Sequence, residues 1–248
     1  MNRRKFVFIG MTTSSYAFSF HNKGIDMLDK RYIGNSSKRY AMVIDLRRCI
    51  ACHACTAACI NENKVSQNQF RSFVSEYELS KNDEVFKAFL PELCNHCDNP
   101  PCVSVCPTGA TFKRKDGLVL VDSNICWGCS YCVNACPYDK RFINKETKVA
   151  DKCTFCAHLI DNDELPACVS TCVGKARIFG DLNDKSSEVS KLLASYPTSV
   201  LKQHFGTKPR VFYINLDNEL NEINPNHKML QDISREFDMA LEEEWSVK

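Results

Sequence analysis

Sixteen cysteines, arranged in four groups of four, constrain this chain more than any other feature. The chain has 248 residues, and residues 173–248 contain no cysteine. The four quartets are Cys49, Cys52, Cys55 and Cys59; Cys94, Cys97, Cys102 and Cys106; Cys126, Cys129, Cys132 and Cys136; and Cys153, Cys156, Cys168 and Cys172. Thiols three residues apart can turn inward from one tight loop, so each quartet indicates a site for metal binding or cross-linking.

Three chemistries compete for these quartets: disulfides, zinc and iron–sulfur clusters. Disulfides suit an exported protein with an even number of cysteines, but cysteine pairs that close loops need not recur at fixed short spacings. Zinc sites usually combine two C-x2-C pairs well separated in the chain. In the first and third quartets, by contrast, three thiols fall within seven residues. A zinc- or disulfide-stabilised binding module therefore stands as the alternative class, and it predicts a colourless protein.

The third quartet matches an iron–sulfur pattern letter for letter. The string "CWGCSYCVNACP", residues 126–137, is the bacterial ferredoxin run C-x2-C-x2-C-x3-C-P, whose fourth cysteine binds the neighbouring cluster. The second quartet is the same string with two residues inserted before its third cysteine. Proline after the fourth cysteine favours a sharp exit, because its φ is fixed and it has no N–H. Cys59 and Cys172 are followed by Ile60 and Val173 instead.

An internal repeat relates the quartets in the order A-B-A′-B′. "CIACHACTAAC" parallels "CWGCSYCVNAC", and "PPCVSVCPTGATF" parallels "LPACVSTCVGKARIF". The repeat predicts duplication of a unit that carries two quartets. The predicted fold is therefore α+β, a duplicated bacterial-ferredoxin-like domain with short strands, hairpins and a C-terminal helix.

The remaining pattern predicts the elements around the quartets. "RYAMVIDLRRC", "ARIFGD" and "RVFYINLD" indicate strands, and "SSEVSKLLASY" indicates a helix. Two hairpins are predicted, one around "KND" and one in "ATFKRKDGLVLVD" with Asp116-Gly117 at its turn. Short helices are predicted after the third cysteine of each quartet. A C-terminal amphipathic helix is predicted from the spacing of Leu230, Ile233, Phe237 and Leu241.

The N-terminus, "MNRRKFVFIGMTTSSYAFSF", resembles a twin-arginine export signal, with Arg3-Arg4 ahead of an apolar stretch. That route carries folded, cofactor-loaded proteins, which is compatible with reduced thiols. The alternative is an ordinary basic N-terminus. The stretch is too short and polar for a membrane span. The predicted division is an export signal at 1–20, a linker at 21–38, a tandem ferredoxin-like domain at 39–182, and an extension at 183–248 that packs on the core or a partner.

Charge and short motifs narrow the functional class. The net charge of +2 gives no argument for nucleic-acid binding. His53, His96 and His158 lie beside ligand cysteines, but with every quartet complete we expect surface or near-cluster histidines. Trp127 is expected to pack as a lid over a cluster. The basic residues could raise cluster potentials, dock a partner or form a solvated hairpin surface; they are Lys113, Arg114, Lys115, Lys140 and Arg141.

Several longer strings carry a family resemblance. They are "RYAMVIDLRRCIACHACT", "LCNHCDNPPCVSVCP", "VNACPYDKRFIN", "ADKCTFCAH" and "LPACVSTCVGKARIFGD". Over about residues 38–182 the chain resembles the ferredoxin-like iron–sulfur (B) subunits of molybdopterin oxidoreductases. That family includes subunits of dimethyl sulfoxide, polysulfide, thiosulfate and tetrathionate reductases, and the strings are most similar to the tetrathionate type.

The resemblance implies four [4Fe–4S] clusters with ligands that cross between quartets. Set 1 is Cys49, Cys52, Cys55 and Cys172; set 2 is Cys59, Cys153, Cys156 and Cys168; set 3 is Cys94, Cys97, Cys102 and Cys136; set 4 is Cys106, Cys126, Cys129 and Cys132. All sixteen positions are cysteine, so no set predicts the three-iron cluster found in some relatives.

The resemblance also implies a function without substrate chemistry on this chain. Electrons would pass from a quinol-oxidising integral membrane subunit, through the four clusters, to a molybdopterin-containing catalytic subunit. The expected reaction of the complex is tetrathionate reduction, with thiosulfate, polysulfide or arsenate reduction as the alternative. The expected location is the periplasm or the outer face of the cytoplasmic membrane, with membrane contact only through the partner.

Overall fold

A computed structural model describes residue 32 and residues 34–81 and 84–222. The predicted export signal, most of the predicted linker and the predicted C-terminal helix lie outside these residues. The described part combines helices with strands, as an α+β fold requires. Within it, no helix is both long enough and apolar enough to cross a membrane.

A four-stranded sheet lies at the centre of the fold. Its order is β8-β1-β10-β9, with β1 parallel to β10 and antiparallel to β8. The strands are β1 (Tyr40–Asp45), β8 (Arg177–Asp181), β9 (Thr198–Ser199) and β10 (Val211–Ile214). Residues 41–44 of β1 are fully buried, because the strand has neighbours on both edges and cover on both faces. Such a strand is expected to show a continuous apolar run, "AMVI", without alternation.

The two faces of this sheet have different cover. Met42 and Ile44 face the main core, which also contains many of the cysteines. Ala41 and Val43 face the other way and pack with Val189 of the amphipathic helix at Glu188–Ser195. The Ser187 hydroxyl caps this helix by accepting a hydrogen bond from the amide of Ser190 at 3.2 Å. The core cysteines therefore lie on one side of the sheet, and the predicted helix covers the other.

Three antiparallel hairpins surround the cysteine-containing loops. Both predicted hairpins are confirmed, and the third has strands of only two residues. The pairs are β2 (Ser72–Lys81) with β3 (Glu84–Leu93), β4 (Thr111–Lys113) with β5 (Val119–Val121), and β6 (Phe142–Ile143) with β7 (Ala150–Asp151). The turn of the second hairpin uses Gly117 at φ +92°, a conformation that glycine adopts without strain.

Most of the helices are short and lie beside cysteines. They are α1 (Ala54–Asn63), α2 (Pro101–Ser104), α3 (Tyr131–Asn134), α4 (Ala157–Ile160), α5 (Ala167–Ser170), α6 (Glu188–Ser195) and α7 (Asn218–Glu222), with 3-10 turns at Leu46–Arg48 and Gln203–Phe205. The predicted starts are wrong by two residues: α1, α2, α3 and α5 contain the third cysteine and do not follow it. Left-handed residues or prolines just before them start each helix earlier.

Candidate metal centres

The first C-x2-C pair of each quartet carries a left-handed residue immediately before its second cysteine. These residues are Ala51 at φ 51°, His96 at φ 43°, Gly128 at φ 66° and Phe155 at φ 54°. Left-handed backbone is unfavourable for residues with a Cβ, so it persists only where the surrounding structure imposes it. The recurrence of one conformation at four equivalent positions indicates that the four loops present their cysteines in the same way.

A second recurring turn follows the fourth cysteine of three quartets. The third residue after that cysteine is left-handed in each case, at Gly109, Asp139 and Lys175. Its amide donates a hydrogen bond to the carbonyl of the fourth cysteine, at 3.3, 3.3 and 3.0 Å respectively. In the first quartet the fourth cysteine, Cys59, lies inside α1 instead.

Backbone amides donate hydrogen bonds to several thiol sulfurs. Cys106 Sγ accepts from the Thr111 amide at 3.3 Å, and Cys172 Sγ accepts from the Ala176 amide at 3.2 Å. The amides of Ala150 and Phe155 donate to Cys126 and Cys153, both at 3.4 Å. Donors aimed at sulfur favour the thiolate, which is the form that binds metal.

Cys106 shows how these donors act. Burial alone would raise the pKa of Cys106, but hydrogen bonds from Thr111 and Thr108 outweigh burial and hold that pKa below its usual value.

Two cavities are lined by cysteines from different quartets. Cys49, Cys52, Cys55 and Cys172 line one of them, together with Arg177. Cys59, Cys153, Cys156 and Cys168 line the other, together with Asn63. In the second cavity the Asn63 side-chain amide lies 3.7 Å from the sulfurs of both Cys59 and Cys156. The structure therefore brings thiols of the first quartet together with thiols of the fourth.

The members of set 3 are recognised by their mutual electrostatic effects. The pKa of Cys97 is raised to about 12, first by burial and then by the proximity of Cys94, with Cys136 and Cys102 contributing. The pKa of Cys136 is raised to about 11 by burial and by Cys94 and Cys102. These four thiols come from the second and third quartets and lie close together.

Set 4 is as exposed as set 1, and both are more exposed than sets 2 and 3. Cys129 is exposed, Cys106 and Cys126 are half-buried, and Cys132 is buried. Cys126 and Cys132 pack in one apolar cluster with Val119. The helix α2, which precedes Cys106, packs against α3, which carries Cys132.

Thiols of neighbouring sets also influence one another. The charge of Cys55 of set 1 raises the pKa of Cys168 of set 2, and the charge of Cys94 of set 3 raises the pKa of Cys153 of set 2. The buried Arg141 interacts with Cys102 of set 3 and Cys132 of set 4. Sets 1 and 2, sets 2 and 3, and sets 3 and 4 are therefore neighbours.

Burial keeps many of these thiols protonated in the metal-free chain. The pKa of Cys59 is raised to about 12 by burial and then by Cys168 and Cys156. Burial also raises the pKa of Cys153 well above its usual value. Metal binding at these positions must therefore displace protons.

All sixteen cysteines are free thiols. Among residues 34–81 and 84–222, no three His, Cys, Asp or Glu side chains are placed to hold a single metal ion.

The three singled-out histidines have different environments. His53 and His158 are exposed and lie 3.7 Å from Glu76 and 2.7 Å from Glu62 respectively. His96 is fully buried, so it is not a surface residue, and the near-cluster position stays a prediction for it. Its Nδ1 accepts a hydrogen bond from the Val119 amide at 3.0 Å, which fixes the neutral tautomer with a proton on Nε2. Burial also holds the pKa of His96 well below its usual value.

The expected lid over a cluster is wrong for Trp127. The side chain is 79% exposed and belongs to no buried cluster among the described residues. Its backbone neighbours explain this position, because Trp127 precedes the left-handed Gly128 in a loop whose next cysteine, Cys129, is itself exposed.

Most of the five singled-out basic residues are not solvent-exposed, so the expectation of a solvated hairpin surface is wrong for them. Arg114 is buried against Asp116 and Asp161, and Lys140 is buried 3.0 Å from Glu92. Lys113 is half-buried and pairs with Asp98 at 2.8 Å. Arg141 is buried, and Lys115 is exposed as expected. Carboxylates elsewhere in the chain draw Lys113, Arg114 and Lys140 inward, which a local pattern does not reveal.

Sequence reasoning did not single out Arg177, which lines the cavity of set 1. A signal was present: Arg177 follows Cys172 at the same distance as Arg141 follows Cys136.

Comparison with known proteins gives consistent similarities. A family model described as a 4Fe-4S dicluster domain matches residues 85–182. The tetrathionate reductase (B) subunit of Salmonella typhimurium is 54% identical over 192 residues, covering 76% of this chain and 77% of that protein. The tetrathionate reductase (B) subunit of Archaeoglobus fulgidus is 44% identical over 187 residues, covering 75% and 87%. The polysulfide reductase B polypeptide of Wolinella succinogenes is 41% identical over 181 residues, covering 72% and 95%.

Proposed function

Because the chain belongs to the ferredoxin-like iron–sulfur (B) subunits of tetrathionate, polysulfide and dimethyl sulfoxide reductases, we propose that its sixteen cysteines hold four [4Fe–4S] clusters as sets 1 to 4. Bound clusters of this type supply one-electron transfer at potentials set by hydrogen bonds to sulfur, burial and nearby charge. The protein is then an electron-transfer subunit and carries no substrate chemistry of its own.

The observation that carries the proposal is the pair of cavities lined by four thiols each. Each cavity draws its thiols from two quartets, with a fourth cysteine exchanged between them. This exchange is how two-cluster ferredoxins bind their clusters. The mutual electrostatic effects within set 3 support a third site of the same kind.

Set 4 is the fourth proposed site, and its support is the spacing and the backbone conformation of its cysteines. Cys126, Cys129 and Cys132 have the spacing of set 1, with the left-handed Gly128 in the place of Ala51. The repeated turns after Cys106 and Cys172 support duplication of a two-cluster unit.

We propose that the four sets form a row in the order 1, 2, 3 and 4 and that this row is the electron path. Neighbouring sets meet through Cys55 and Cys168, through Cys153 and Cys94, and around Arg141. The residues of this chain hold each cluster in low-dielectric surroundings and aim amide N–H groups at its sulfurs. The path therefore has two ends, set 1 and set 4, each with one exposed cysteine, Cys52 and Cys129.

Both ends expose apolar side chains next to their cysteines. Ile50 and Val173 are 60% and 68% exposed beside set 1, and Trp127 and Tyr131 are 79% and 60% exposed beside set 4. Exposed apolar residues grouped at a functional site indicate protein contact. We propose that one end contacts a molybdopterin-containing catalytic subunit and the other a quinol-oxidising integral membrane subunit.

The proposed reaction of the assembled complex is tetrathionate reduction. Its support is the similarity to the tetrathionate reductase (B) subunits of two organisms. Export in folded form by the twin-arginine route, to the periplasm or the outer face of the cytoplasmic membrane, is proposed from Arg3-Arg4. Replacing both arginines with lysine and fractionating the cells tests the export proposal, which requires the variant to stay in the cytoplasm.

The first test is iron and acid-labile sulfide per chain in anaerobically purified protein. We expect about sixteen of each, from four clusters of four. About twelve would mean that one set holds no such cluster. Stoichiometric zinc without iron would refute electron transfer by this chain.

The acceptor is tested with the assembled complex. Quinol-driven reduction of tetrathionate is compared with that of thiosulfate, polysulfide and arsenate, and the fastest turnover is expected with tetrathionate. Faster turnover with another acceptor would refute the tetrathionate assignment and leave the electron-transfer role intact.

A further inference from the structure

Two arginines are buried without a carboxylate partner. Arg141 is 1% exposed and Arg177 is 3% exposed, and within the described ranges neither forms an ion pair. Nε and Nη1 of Arg141 and both Nη atoms of Arg177 have no hydrogen-bond partner there. Burying a guanidinium without a counter-charge is strongly unfavourable, so two such cases in one chain need an explanation.

Other buried cations of the chain do have partners. Arg114 pairs with Asp116 at 2.6 Å, and Lys140 pairs with Glu92 at 3.0 Å. The ammonium of Lys152 donates hydrogen bonds to the carbonyl oxygens of Val119 and Cys153. Within the described residues, Arg141 and Arg177 are therefore the buried cations that combine unpartnered N–H groups with the lack of a carboxylate.

Each of the two arginines lies between neighbouring sets of cysteines. Arg177 lines the cavity of set 1 and interacts with Cys168 of set 2 and Cys55 of set 1. Arg141 interacts with Cys102 of set 3 and Cys132 of set 4, and one of its N–H groups donates to the Thr111 hydroxyl at 2.9 Å. Thiols thus stand where carboxylates would be expected.

The same backbone turn delivers both arginines. Arg141 and Arg177 are the fifth residues after Cys136 and Cys172, and each follows a left-handed residue two positions earlier, Asp139 or Lys175. The chain therefore places one unpaired guanidinium in each half of the row by the same local means.

We propose that Arg177 and Arg141 are shared counter-charges, Arg177 for the clusters of sets 1 and 2 and Arg141 for those of sets 3 and 4, and that each raises the reduction potentials of both its clusters. This inference rests on the proposed four-cluster function. A cluster held by four thiolates is an anion and becomes more negative on reduction, so a fixed positive charge favours the reduced form. The unpartnered N–H groups supply charge-assisted hydrogen bonds to sulfur.

If each arginine serves two clusters, Arg177→Gln and Arg141→Gln should each change two of the four reduction potentials. Four reduction potentials are measured by redox titration followed by electron paramagnetic resonance. In Arg177→Gln, two of the four are expected to fall by at least about 59 mV, a tenfold change in the one-electron equilibrium constant. In Arg141→Gln, the other two are expected to fall, and the first two stay unchanged.

Two further variants separate charge from packing. Arg177→Lys keeps the positive charge. Its reduction potentials are therefore expected to shift less from those of the unmodified protein than the reduction potentials of Arg177→Gln do. Lys115→Gln removes an exposed cation from the β4–β5 hairpin and is expected to shift none, because solvent screens its charge.

Every outcome decides the proposal. Unchanged potentials in fully iron-loaded glutamine variants would overturn it, and so would an equal shift of all four potentials. If Arg177→Gln loses iron, retention of iron by Arg177→Lys supports the counter-charge, and loss by both overturns it. The iron content of the unmodified protein separately tests the four-cluster function.

Discussion

At the scale of single residues, Gly128 is the position where a small change has the clearest consequence. It lies at φ +66° between Cys126 and Cys129, and a Cβ there would collide with the backbone carbonyl of Lys148. Backbone cannot move aside as a flexible side chain can, so Gly128→Ala must displace the loop that carries two ligands of set 4. We expect this variant to retain about twelve of sixteen irons, measured as iron and sulfide per chain.

Gly109→Ala is the matched control for that prediction. Gly109 has nearly the same φ, +69°, and follows Cys106 of the same set, but a Cβ there meets nothing within 4 Å. Its cost is limited to left-handed backbone, about 1–2 kcal/mol, so full iron content with a slightly lower melting temperature is expected. Full iron in both variants would show that the Lys148 carbonyl does not constrain the loop.

At the scale of elements, a buried ion pair joins the β2–β3 hairpin to the turn after Cys136. Glu92 of β3 lies 3.0 Å from Lys140, and its second carboxylate oxygen accepts a hydrogen bond from Ser75 at 2.7 Å. Lys140→Met would leave Glu92 buried without its counter-charge, at a cost of about 3–5 kcal/mol. We expect a large fall in the melting temperature of the iron-loaded protein, measured by circular dichroism.

The double variant Glu92→Leu, Lys140→Met tests the cause of that loss. Two apolar side chains leave no charge unpaired, so most of the lost stability should return. A double variant as unstable as Lys140→Met would mean that the contact of the Lys140 ammonium with the Phe73 ring, whose centroid lies 4.3 Å from Nζ, dominates instead.

The elements also show which parts of the fold the sequence determines locally. The hairpins at 72–93 and 111–121 were predictable because alternation and turn residues are local signals. The strand "RVFYINLD" was predictable, but its parallel place beside β1 was not, because that pairing joins residues about 170 positions apart. The β6–β7 hairpin has two-residue strands, too short for any periodic signal.

The candidate sites divide in the same way. Spacing alone predicted all sixteen cysteines as ligands, whereas the residues around them depend on tertiary contacts. Trp127 looked like a buried lid from its type and proved exposed, and the basic residues at 113–115 and 140–141 looked like surface and proved largely buried. For Arg114 and Lys140 the reason is a distant carboxylate, on Asp161 and Glu92 respectively.

At the scale of the whole molecule, the cysteines are part of the principal core. Cys55, Cys94, Cys97, Cys153 and Cys168 pack in the same cluster as Met42 of β1 and Tyr213 of β10. Removing bound clusters would leave cavities and unpaired arginines inside this core. We therefore expect chelation of iron under anaerobic reducing conditions to abolish the cooperative thermal transition in near-ultraviolet circular dichroism. A sharp transition at the original temperature in iron-free protein would contradict this.

The two exposed ends of the row predict two separable partner contacts. Trp127→Ser with Tyr131→Ser changes the end at set 4, and Ile50→Ser with Val173→Ser changes the end at set 1. A large apolar anchor contributes about 2 kcal/mol or more to an interface, roughly thirtyfold in Kd. Each double variant is therefore expected to lose one partner subunit on purification and to keep the other, as measured by subunit stoichiometry.

The control for this prediction is the tip of the β2–β3 hairpin. Val85 is 69% exposed, comparable to the residues at the two ends, and it lines neither of the cysteine-lined cavities. Val85→Ser should leave both partners bound, and all three variants should keep full iron. Loss of the same partner from both end variants would contradict the prediction, because the two ends are proposed to contact different subunits.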